Sequence, residues 1–151
     1  MRTGRRTAAA AALLVTLTLA GCVHSPEGDP TAYRAEAAAT LDAATSPLGT
    51  TQLTLQAVLA DRIFGTSADD TVTTAETALD SLASSFGALQ PPRGADSVRD
   101  QAQQALSTAL DAVSAARIAI RRGDRAGARS ALGDVRAASA QVERLQQRWS
   151  S

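Results

Sequence analysis

Residues 97–149 read SVRDQAQQALSTALDAVSAARIAIRRGDRAGARSALGDVRAASAQVERLQQRW, and this stretch decides the fold. Ala102, Leu106, Ala109, Val113, Ala116 and Ile120 recur every three or four residues, the spacing that puts side chains on one face of an α-helix. Gly123 supplies a helix stop, and Asp124 behind it is a good N-cap for a second helix. There Ala128, Leu132, Val135, Ser139, Val142 and Trp149 make a second apolar stripe, with Leu145 beside it. Two amphipathic helices joined by a two-residue turn must pack antiparallel to bury those stripes.

Working outward, Gln90-Pro91-Pro92-Arg93-Gly94 is a clear break. Before it, Val72, Ala75, Leu79, Leu82, Phe86 and Leu89 repeat the same spacing, with Ser67-Ala68-Asp69-Asp70 as a capping-box-like start. Earlier still, Asp29-Pro30 offers an N-cap with proline at the first helical position, followed by Tyr33, Ala37, Leu41 and Ala44. Ser46-Pro47-Leu48-Gly49 then interrupts. One long helix over 30–64 kinked at Pro47 and a separate helix from Ser46 to Phe64 are both open, although Leu48, Leu55, Leu59 and Ile63 carry one stripe through the proline. No segment alternates at period two. The expectation is all-α, an up-and-down antiparallel bundle of four helices (the first kinked at Pro47) or five, in one domain over 30–151.

The chain has 15 basic and 15 acidic residues, all the basic ones Arg. Three Arg precede Cys22, so the part from Cys22 onward carries 12 against 15 and offers no electrostatic footprint for nucleic acid. Few aromatics and much Ala predict closely spaced helices and modest stability, since small side chains bury little area each.

Residues 1–21 combine Arg2, Arg5 and Arg6 with an apolar run from Ala8 to Ala20, the pattern of a secretory signal. About 13 apolar residues are too few to span a bilayer. The run ends Leu19-Ala20-Gly21-Cys22, which resembles the lipobox of bacterial lipoproteins. The resemblance implies cleavage between Gly21 and Cys22, diacylglycerol on the Cys22 thiol and acylation of the new amino group. Arg5-Arg6 leaves twin-arginine export open beside the general route. Val23 is not the Asp associated with inner-membrane retention in diderm lipoproteins. Residues 22–29 then read as the lipidated Cys and a short tether, whose seven residues after Cys22 reach at most roughly 25 Å.

Phe86 to Arg99, the long Ala/Leu helix after it and Arg121-Arg122-Gly123-Asp124 are similar to small lipobox-containing helical lipoproteins of unassigned function from high-GC actinobacteria. That likeness implies a lipid-anchored helical bundle and supplies no catalytic residue.

His24 is the sole histidine and Cys22 the sole cysteine, both in the tether, so triads and zinc sites of the familiar kinds have no residues to use. No Glu-x-x-His occurs for a carboxylate di-metal bundle. Catalytic residues, cofactors and metals are therefore not expected. Asp69-Asp70 reads as a complement to a helix N-terminus or as an acid pair. The Thr-rich run 71–77 reads as a solvated face or a glycan acceptor. Arg117, Arg121, Arg122, Arg125 and Arg129 flank one turn with only Asp124 as a local acid. They form either an interaction patch for anionic lipid, cell-wall polymer or an acidic partner, or a set that offsets the helix dipole and solubilises an Ala-rich surface. Helix count decides what the patch faces: four helices point it away from the anchor, five point it at the headgroups.

Two functions follow as expectations. One is a non-catalytic, lipid-anchored module at the extracytoplasmic face of the cell membrane, acting by contact with an envelope protein. The other is a tethered bundle that binds a small apolar ligand, with Phe64, Phe86 and Trp149 as its wall or else as plain core.

Overall fold

The computed structural model describes residues 28–149. Four helices follow one another: α1 (Pro30–Leu59), α2 (Gly65–Gly87), α3 (Asp96–Arg122) and α4 (Arg125–Trp149). Each packs on its neighbours in chain order, α4 closes the ring against α1, and α1 also meets α3 across the middle. Cross-contacts fix the antiparallel sense. Tyr33 at the start of α1 stacks on Phe86 at the end of α2, ring centroids 5.7 Å apart. Arg148 at the end of α4 donates to Gln101 Oε1 near the start of α3 at 3.1 Å. The near end of the bundle thus holds Pro30, Gly87, Asp96 and Trp149, and the far end holds Leu59, Gly65, Arg122 and Arg125.

The five-helix alternative does not occur, because α1 runs through Pro47 without interruption. A proline inside a helix costs about 3 kcal/mol through its missing N–H and its ring. Pro47 and its neighbours Ala44 and Leu48 are buried, as are Leu41 and Leu55 on the same stripe. Each buried leucine contributes about 1.5–3 kcal/mol, so continuity of the stripe outweighs the proline. The Thr51 hydroxyl donates back to Pro47 O at 2.9 Å and keeps that buried polar atom paired.

α1 stops at Leu59, five residues short of the expected Phe64. Asp61 takes the left-handed conformation at φ 54. Arg62 N–H then donates to Ala57 O at 2.8 Å and Asp61 N–H to Val58 O at 3.1 Å, the paired bonds of a Schellman end. Such ends usually carry Gly; Asp tolerates the conformation better than most residues, and its presence hid the stop. α3 ends the same way with the expected residue: Gly123 at φ 64, Gly123 N–H to Ile120 O and Asp124 N–H to Ala119 O. Asp124 Oδ1 then accepts from Ala126 N–H at 3.0 Å and Gly127 N–H at 2.9 Å, the N-cap foreseen for α4. Arg122-Gly123-Asp124, an adhesion tripeptide by composition, is used here as helix stop and restart.

α2 begins at Gly65, ahead of the expected start at Ser67, with Phe64 at the N-cap, and α3 begins at Asp96 with Ala95 there; neither has a side-chain cap. The core is built from the foreseen stripes widened by Ala105, Ala112, Ala131 and Ala138. Leu145 is buried where Trp149 was expected, and Trp149 packs only partly against the core. Leu89 lies beyond α2 and is exposed.

Candidate functional site at the far end of the bundle

The five arginines singled out in the sequence do not form one patch. Arg117 Nε and Nη2 both donate to the Glu76 carboxylate on α2, and this bond holds the guanidinium above its already high ordinary pKa. Arg125 Nη1 donates to Asp61 Oδ1 at 2.7 Å, and its Nη2 to Leu59 O at 2.6 Å. It therefore caps the C-terminus of α1 with a cation, where the helix dipole is negative. These two are fold residues, and their acids lie 41 and 64 positions away in sequence, invisible to any local count.

The side chains of Arg121, Arg122 and Arg129 are exposed and make no ion pair or hydrogen bond among the described residues. The side chain of Arg62, in the turn after α1, joins them at the same end and is likewise exposed and without a partner among the described residues. Two residues on stands Phe64, 84% exposed, the most exposed large apolar side chain described. Ile118, one turn before Arg122, is 42% exposed, and an open depression of about 320 Å³ lies among Ile118, Arg121 and Arg122. The far end thus presents an aromatic ring beside Arg62 and an aliphatic side chain beside Arg121 and Arg122. Aromatic residues and Arg are enriched at protein–protein interfaces and dominate their binding energy.

Arg62 carried no sequence signal as a site residue, and Phe64 was expected as the last residue of the first helix and as part of a ligand wall or plain core. The available hint was the charged pair Asp61-Arg62, which breaks the apolar run just before it. The three aromatics of that wall do not converge. Phe64 is at the far end, Phe86 is fully buried against Tyr33 near the other end, and Trp149 closes α4 there.

Asp69 and Asp70 fall in the second turn of α2, too far in to act on its N-terminal dipole. Asp69 is half-buried with one carboxylate oxygen lacking a hydrogen bond, and it adds to the acidic field around Arg117. Three of the four threonines of the 71–77 run return their hydroxyls to their own helix: Thr71 to Ser67 O, Thr74 to Asp70 O and Thr77 to Thr73 O. Such back-bonding satisfies the hydroxyl locally.

Cys22, the Gly21–Cys22 cleavage position, the signal over 1–21 and His24 lie outside the described residues. No helix among the described residues is long and apolar enough to cross a membrane. No family model, curated protein or solved structure matches this chain.

Proposed function

We propose that the chain is a lipid-anchored extracytoplasmic lipoprotein that acts without catalysis, by protein contact at the cell envelope, through the end of the bundle farthest from its anchor. The observation that carries this reading is Phe64, 84% exposed beside Arg62, at the end where Arg121 and Arg122 also lack internal partners. An apolar side chain left in water at a turn contributes nothing to this fold, whereas burying it against a partner contributes about 1.5–3 kcal/mol. The surrounding guanidinium groups favour a partner whose matching surface is acidic, which sets register and speeds encounter. The lipobox-like Leu19-Ala20-Gly21-Cys22 supports attachment at the opposite end, where α1 begins.

A photo-crosslinking residue at position 64, expressed in the native host, tests the contact. A discrete adduct that disappears in Arg121→Gln/Arg122→Gln supports it. Equal labelling from position 64 and from exposed Leu53, on the side of α1 about two turns before its end, would count against it.

A further inference from the structure

A groove of about 430 Å³ runs between α3 and α4 close to the near end, with Gln101 and Gln104 on one wall and Gln141, Arg144 and Arg148 on the other. Arg144 and Arg148 are one turn apart on the same face of α4, a like-charge spacing that destabilises a helix unless something answers the charge. Among the described residues, no carboxylate is hydrogen-bonded to or ion-paired with either of them. Arg148 donates to the neutral Gln101 Oε1, and the side chains of Arg144 and Gln141 make no hydrogen bond or ion pair among the described residues. The single acid on the groove, Asp100, has Oδ1 already taken by Arg99, whose Nε and Nη2 both lie 3.1 Å from it.

The groove therefore collects two guanidinium forks and a carboxamide with unused donors. A guanidinium matches the paired oxygens of a phosphate better than any other side chain.

Its position says which phosphate. The chain reaches α1 at this end, with Gly28 packed against Pro92 of the 88–95 loop. Cys22 stands six residues before Gly28, which bounds its reach to roughly 20 Å. Gln141 is eight residues from the end of α4, so the groove lies within roughly 12 Å of the bundle end, counting 1.5 Å per residue. Partly buried Trp149 and exposed Leu89 share that end, and Trp is the residue most at home where a membrane meets water.

We propose that this α3–α4 groove binds the phosphate headgroups of anionic phospholipid and so sets the bundle's orientation on its membrane. The location rests on anchoring at Cys22. The test imposes that anchor chemically, so it stands or falls separately from whether the cell lipidates the chain.

All core residues lie between Tyr33 and Leu145, so the chain from Cys22 onward retains the whole core. Its sole cysteine is coupled to a maleimide lipid in vesicles of phosphatidylcholine alone or with phosphatidylglycerol. Fluorescence of Trp149, the sole tryptophan, is then quenched by brominated lipid in the same vesicles. Phosphatidylglycerol is expected to deepen the quenching. The enhancement should vanish in Arg144→Gln/Arg148→Gln and persist in Arg121→Gln/Arg122→Gln, with all three proteins showing the same helical circular dichroism. Equal quenching in the two vesicle types overturns the proposal. So does an enhancement that survives the groove variant, or one that both variants lose alike.

Discussion

Arg125, the first residue of α4, donates to both Asp61 Oδ1 and Leu59 O, tying the start of the last helix to the end of the first. One side chain thereby neutralises an acid, caps a helix and closes the ring of four helices. Asp61 also holds a left-handed backbone. Asp61→Ala removes the ion pair and retains the unfavourable conformation, and is expected to cost about 1–2 kcal/mol. Asp61→Gly loses the same pair but relaxes the backbone, so it should cost less than the alanine variant. Urea denaturation of the two variants checks the order.

Arg117 and the exposed arginines should separate in the same measurement. Arg117 is about three-quarters buried with its Glu76 partner, 25% and 22% exposed respectively. Arg117→Ala is expected to destabilise by about 1–2 kcal/mol after allowance for solvent. Arg121→Ala/Arg122→Ala should change the midpoint by less than about 0.5 kcal/mol, as exposed substitutions do. Equal losses would mean that the exposed pair is structural after all.

Gly127 is required by the cap rather than by its own backbone. A Cβ there would meet Asp124 Oδ2 at 2.6 Å, because the Asp124 side chain folds over it to cap α4. Gly127→Ala is expected to cost about 1 kcal/mol through the displaced cap. In an Asp124→Ala background the same change should cost less, because only the close approach to Ala119 Cβ at 3.3 Å then opposes alanine's helix preference of about 1 kcal/mol. A double-mutant cycle by thermal unfolding reads the coupling.

Tyr33 carries a buried phenol whose oxygen has no hydrogen-bond partner. Burial pushes its pKa up, with Asp100 and Asp96 in the same direction and Arg99 opposing. The folded state therefore keeps a proton that the unfolded chain releases near pH 10, so this group's contribution is full below that pH and falls as pH rises above it. Tyr33→Phe removes the alkaline loss. It should also leave neutral-pH stability unchanged or raised by about 1 kcal/mol, because an unpaired buried hydroxyl is costly. Phenolate absorbance of the sole tyrosine, followed beside helical circular dichroism, reports both.

Helix number in the second half, the core stripes and the Gly123-Asp124 turn were legible because each rests on local periodicity or on one residue's conformational preference. The stop after Leu59 was not, because it uses Asp61 where glycine would have announced it. The arginine patch misled for a different reason. Glu76 and Asp61 reach Arg117 and Arg125 only once the helices pack, so a count of nearby acids made five arginines look unpaired. The exposure of Phe64 was not legible either, because an aromatic residue beside an apolar stripe reads equally as core, as a ligand wall or as a side chain left outside.

The most direct measurement is the mass of the N-terminal peptide of the protein isolated from membranes of its native host. The account predicts that it begins at Cys22 and carries diacylglycerol on the thiol. A mature chain that begins elsewhere, or a free Cys22 thiol in membrane-bound protein, would contradict it.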